Sequence, residues 1–178
     1  MATSTVTLRF AFTHPDEMRT FRAYKRLDGP GAAELELYQA SDCLPVFYHS
    51  SYGPSGGVTT FQRVNVATGV WEPAGEISWT SSSNATVHFG IAEVNIRDLR
   101  KRKKASSQSR RFKAGGSEYK WKMGEGNDLF CVDARGKTVA TWSHADTTLQ
   151  VGAQAEQILD RVVVTCLLNL WIRHLGLW

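Results

Sequence analysis

The feature that most limits what this chain can fold into is its last apolar run. Val162 to Ile172 is apolar on every side of a helix projection, and Ala153 to Leu175 holds no glycine or proline. A helix without a polar face must be surrounded, by lipid or by protein. Crossing a bilayer takes roughly 20 apolar residues. Asp160-Arg161 and Arg173-His174 bracket only eleven, and Asn169 sits among them. The reading is therefore a core helix over about 154–174 enclosed by the chain itself. A tail anchor and a helix packed on a partner are the two alternatives.

What surrounds that helix is legible upstream. In Thr5 to Phe12, Val6, Leu8, Phe10 and Phe12 alternate with Thr5, Thr7, Arg9 and Ala11, the period of a half-buried strand. Pro15 to Leu27 reads either as one helix, from Phe21 and Tyr24, or as strand. Asp28 to Gly31 is a turn. Strand-like runs then recur: Glu34 to Gln39, Val46 to His49, Val58 to Val66, Glu76 to Trp79, Ala85 to Phe89 and Ile91 to Ile96. Ser50 to Gly57 reads as a loop. After a basic stretch come Arg111 to Ala114, Glu118 to Met123, Leu129 to Val132, Thr138 to Trp142 and Thr148 to Val151. Turns such as Gly115-Gly116 and Asp133-Ala134-Arg135-Gly136 separate them. Many short strands joined by Gly and Asp turns indicate an all-β sandwich or barrel. With 178 residues, six Trp, eight Phe and five Tyr, the chain suits one domain, 1–178, with a sizeable core.

Met1 to Phe10 lacks a basic segment followed by an apolar one, so no secretory leader is expected. The location implied is cytoplasmic, peripheral to a membrane, or nuclear, and not secreted. Cys43, Cys131 and Cys166 are odd in number and widely spaced, which argues against a disulfide framework or a zinc site. Cys131 and Cys166 read as core thiols and Cys43 as the accessible one. The five histidines are scattered, and no metalloprotease, nucleophile-elbow or phosphate-loop pattern occurs. No catalytic residue, metal ligand or cofactor is expected, so the chain reads as non-enzymatic.

The charge is concentrated. Arg97 to Lys122 holds eleven Lys or Arg and two acids, Asp98 and Glu118, a net +9. The remaining residues hold ten basic and fifteen acidic side chains, a net −5. The candidate anion-binding residues are Arg100, Lys101, Arg102, Lys103, Lys104, Arg110, Arg111 and Lys113, in a loop over about 97–113. Such a cluster is stable in water or beside anions. Three readings stay open: a solvated loop, a site for anionic lipid, or a nuclear import signal or nucleic-acid contact. No aromatic lies between Arg97 and Arg111, which argues against single-strand recognition though not against non-specific duplex binding; sequence-specific nucleic acid is not expected as a partner. Ser106, Ser107 and Ser109 lie beside the basic residues, and Lys103-Lys104-Ala105-Ser106 has the form of a basophilic kinase site.

Strands wrapped around a C-terminal apolar helix resemble the tubby C-terminal-like superfamily of tubby-like proteins, phospholipid scramblases and LURP-one-related proteins. The chain is most similar to a family of unknown function abundant in mushroom-forming fungi. The residues that carry this likeness are Gly116-Ser117-Glu118-Tyr119-Lys120-Trp121-Lys122, Asp128-Leu129-Phe130-Cys131-Val132, Gly136-Lys137-Thr138-Val139-Ala140-Thr141-Trp142 and the run Ile158 to Thr165. Thr59 to Arg63 and Ala74 to Trp79 also fit. The resemblance implies a closed antiparallel barrel of about twelve strands around the helix. It also implies a binding or scaffold module acting at anionic phospholipid or phosphoinositide head groups. The alternative is a protein-interaction or structural module.

Overall fold

The protein is described by a computed structural model covering residues 5–27, 31, 33–43 and 57–178. The expected strand Val46 to His49, the loop before Gly57 and most of the Asp28 to Gly31 turn lie outside the described residues.

Among the described residues, twelve strands precede one α-helix. They are β1 (Thr5–His14), β2 (Glu17–Arg26), β3 (Glu34–Cys43), β4 (Gly57–Asn65), β5 (Val70–Trp79), β6 (Ala85–Phe89), β7 (Ala92–Asn95), β8 (Arg110–Ala114), β9 (Ser117–Met123), β10 (Leu129–Val132), β11 (Thr138–Ser143) and β12 (Thr148–Gly152). A 3₁₀ turn, Ala153–Ile158, leads into α1 (Leu159–His174). All twelve strands form one antiparallel sheet in the order β7-β6-β5-β4-β3-β2-β1-β12-β11-β10-β9-β8. Two meanders, β1 to β7 and β8 to β12, are therefore joined where the first strand pairs with the last, Val6 opposite Val151 and Leu8 opposite Leu149. The hydrogen-bonded ladder ends at β7 and β8 and does not close on itself.

Alternation decides which face is inward. Val6, Leu8 and Phe10 of β1 are buried, as their spacing requires. Pro15 to Leu27, readable as helix or strand, is strand from Glu17: Phe21 and Ala23 point inward and pair with Ala40 and Tyr38. The register then shifts by one residue, so that adjacent Leu37 and Tyr38 are both buried. The fifth strand begins at Val70, six residues before the expected Glu76. Pro73 is accommodated because the register shifts there: Phe61 pairs with Gly75 and Gln62 with Pro73, which leaves Ala74 of β5 as a bulge.

The sheet curls around α1. Every residue from Val162 to Leu170 is buried, more than two full turns, so no side of the helix faces water. Both meanders reach it: Trp121 of β9 meets Thr165, while Tyr38 of β3 and Arg63 of β4 meet Asp160. Gly115, in the left-handed region at φ +54°, turns β8 into β9 so closely that a side chain there would press on Ile158. Each large apolar side chain buried along α1 contributes roughly 1.5–3 kcal/mol. The two polar residues inside the run are satisfied. The Thr165 hydroxyl donates to the Arg161 carbonyl at 2.7 Å and accepts from Trp121 Nε1 at 2.9 Å. Asn169 donates to the Thr165 carbonyl at 2.8 Å and accepts from Arg100 Nε at 2.8 Å. No helix among the described residues is long and apolar enough to cross a membrane.

Candidate anion-binding surface at the sheet seam

The basic segment lies where the ladder stops. It leaves β7 at Ile96, whose amide bonds the Ala85 carbonyl at 3.0 Å, and returns to form β8. Lys101 and Arg111 exchange backbone bonds of 3.0 and 2.8 Å, so the segment pairs briefly with the free edge of β8. Leu99 is buried beneath it. The segment thus fills part of the gap between the two edge strands.

The eight residues singled out from the sequence divide into two sets. Lys101, Arg102, Lys103, Lys104 and Lys113 are exposed. Arg110 is only 4% exposed, and Arg100 and Arg111 are half-buried. Arg110 donates to the carbonyls of Ser107 at 3.0 Å and Ser109 at 3.2 Å. Arg100 reaches in to Asn169. Both guanidinium groups lie against the Trp178 ring, at 5.9 Å for Arg100 and 5.0 Å for Arg110, and the indole N–H bonds the Gln108 carbonyl at 3.0 Å. Burial, with Arg110 and Arg102 adding, pushes the Arg100 guanidinium down to about 10; burial and then Arg102 lower Arg110. These two arginines hold the segment onto the body of the fold, so the cluster is not the uniformly external loop that its composition suggests.

The segment's two acids are engaged by its own bases: Asp98 lies 3.1 Å from Lys101, and Glu118 pairs with Arg111. Arg102, Lys103, Lys104 and Lys113 have no carboxylate partner among the described residues. Beside Lys113 is a groove of about 410 Å³ whose apolar lining is Val94, Leu99 and Phe112. Lys101, Arg111, Lys113 and Arg161 supply its positive charge, against Asp98 and Glu118. Arg161 escapes sequence reasoning, which treats it only as the charged bracket of the apolar run. It lies over the Phe89 ring at 4.3 Å and also lines a second hollow, of about 320 Å³, with Arg63 and Asp160.

Other chemistry is sparse. Cys131 and Cys166 are buried free thiols, as expected. Burial pushes Cys131 up to about 12 and Cys166 well above the usual thiol range. The side chain of Cys43 lies outside what is described. No group of three or more His, Cys, Asp or Glu side chains that could hold a metal ion occurs among the described residues. Glu34 and Glu36 form ion pairs across the strands with Arg9 and Arg22.

The fold and its seam define a mainly antiparallel β protein with a helix buried behind the sheet and a basic segment between the two edge strands. Residues 34–174 match the model of a family described as "Family of unknown function (DUF6593)", and the chain belongs to that family. No curated protein and no solved structure matches it significantly.

Proposed function

We propose that this chain is a non-enzymatic binding module that docks on anionic phospholipid head groups through Lys101, Arg102, Lys103, Lys104 and Lys113. One observation carries the reading: four of these five exposed cations have no carboxylate partner among the described residues, on a segment anchored from beneath by Arg100 and Arg110. A Lys or Arg near an anionic membrane surface contributes about 1 kcal/mol. Four acting together give about 4 kcal/mol, roughly a thousandfold in partitioning.

The same reading takes the sheet as a barrel of the tubby C-terminal-like kind. Two observations support it: the burial of α1 around its whole circumference, and the 97–109 segment spanning the gap from β7 to β8. A helix-filled interior leaves binding to the outer surface and the rim.

Vesicle sedimentation tests the function. The full chain binds phosphatidylserine- or phosphoinositide-containing vesicles at low salt, releases them as salt rises, and ignores phosphatidylcholine alone. The variant Lys101→Gln/Arg102→Gln/Lys103→Gln/Lys104→Gln loses at least tenfold in binding. Retention by that variant refutes the reading. Nuclear accumulation abolished by the same changes, without vesicle binding, favours the import signal instead.

A further inference from the structure

The basic segment carries three serines, and the fold treats them differently. The Ser107 and Ser109 hydroxyls lie 3.1 Å apart, hydrogen-bonded to each other. The Ser107 carbonyl accepts from Arg110, and the Ser109 amide reaches the Ser107 hydroxyl at 3.4 Å. Trp178 holds the Gln108 carbonyl. Residues 107–110 are thus fastened to the body of the fold. Ser106 is exposed, and its hydroxyl has no hydrogen-bond partner among the described residues. It sits at the third position of a turn closed by the Ser107 amide on the Lys104 carbonyl at 3.0 Å. Residues 102–105 before it carry three exposed cations, and their ties among the described residues stay within the segment: Arg102 to the Ala105 carbonyl at 3.3 Å, and the Lys104 carbonyl in that turn.

We propose that Ser106 is a phosphorylation site for a serine kinase that reads basic residues on the N-terminal side of its target, and that the phosphate switches off the anionic-surface docking proposed above, on which this second half rests. A kinase must draw its target into an extended strand. Here the part of the segment that such an enzyme reads, Arg102-Lys103-Lys104 before Ser106, is exposed and has no hydrogen bond to the body of the fold among the described residues. In the reaction, Ser106 Oγ attacks the γ-phosphorus of ATP. The new Oγ–P bond forms as the bond to ADP breaks, and the hydroxyl proton passes to the kinase's base. The phosphoserine adds about −1.5 to −2 charge within reach of Arg102, Lys103 and Lys104. It pairs with those groups internally and takes them from the membrane.

The test incubates the folded full chain with ATP and a basophilic serine kinase and maps phosphate by mass spectrometry. Ser106 is modified, Ser107 and Ser109 are not, and Ser106→Ala falls to background without phosphate moving to its neighbours. No incorporation, or incorporation at Ser107 or Ser109, overturns the site. The phosphorylated chain then binds phosphatidylserine vesicles about tenfold more weakly than the unmodified chain. Unchanged binding overturns the switch and leaves the site standing. If the unmodified chain fails to bind vesicles at all, the docking function and the switch fall together, and the mass-spectrometric result still decides the site.

Discussion

Trp121 on β9 donates its indole N–H to the hydroxyl of Thr165 on α1 at 2.9 Å, and both residues are fully buried. This bond ties the second meander to the buried middle of the helix. The same hydroxyl donates to the Arg161 carbonyl one turn back, so it spends its proton on the helix and its lone pair on the sheet.

Replacing Thr165 by Val keeps the shape, removes the acceptor and leaves the Trp121 N–H buried without a partner. The expected loss is about 1–3 kcal/mol, or roughly 2–10 °C in Tm at this chain length. Trp121→Phe in the Thr165→Val background costs less than in the wild type, because the orphaned donor is gone. Denaturant melts of the four proteins read this coupling directly, and strict additivity of the two changes contradicts the bond's role.

The buried thiols set an alkaline limit. In the unfolded chain a cysteine ionises near about 8.5, whereas Cys131 in the fold is held at about 12 and Cys166 higher still. Above about pH 8.5 the unfolded state therefore releases protons that the folded state keeps, and stability falls as pH rises. The slope is about 1.4 kcal/mol per pH unit for each thiol. Tyr38, raised above the usual phenol range chiefly by burial and then by Asp160, adds to the loss above about pH 10. Urea denaturation at a series of alkaline pH values shows this fall. A Cys131→Ala variant has a shallower slope; an unchanged slope refutes the assignment.

The two kinds of basic residue separate by experiment. Arg110→Gln and Arg100→Gln loosen contacts with Ser107, Ser109, Asn169 and Trp178, and each lowers stability by about 1–3 kcal/mol. Neutralising Lys103 and Lys104, which are exposed and unpaired with acids among the described residues, leaves Tm within about 1 °C and weakens vesicle binding about thirtyfold. Thermal melts beside sedimentation tell the two roles apart. A Tm loss from the Lys103/Lys104 pair, or none from Arg110, contradicts the division.

Much of the architecture is legible in the sequence because it is local. The alternation of Val6, Leu8 and Phe10 and the unbroken apolar run of α1 each state a burial pattern within a dozen residues. What escapes is set by distant partners. The fifth strand reads as starting at Glu76, because its first half, Val70 to Gly75, is made strand by pairing with β4 and carries a bulge at Ala74. Arg100 and Arg110 read as members of one solvated run because what turns them inward, Asn169 and Trp178, lies some 70 residues further along. Arg161 reads as a helix flank, and only the folding of β7 and β8 to either side of it makes it part of a groove. Sequence spacing identifies the cations, and tertiary packing decides which of them face water.

Hydrogen exchange of α1 measures most directly whether the sheet encloses the helix, on which the placement of the basic seam depends. Amides from Val162 to Leu170 exchange only through global unfolding, with an opening free energy equal to that from denaturant titration. Exchange of those amides at markedly lower free energy, while β1 and β12 remain protected, would mean that the helix leaves the sheet on its own and would contradict the enclosed core.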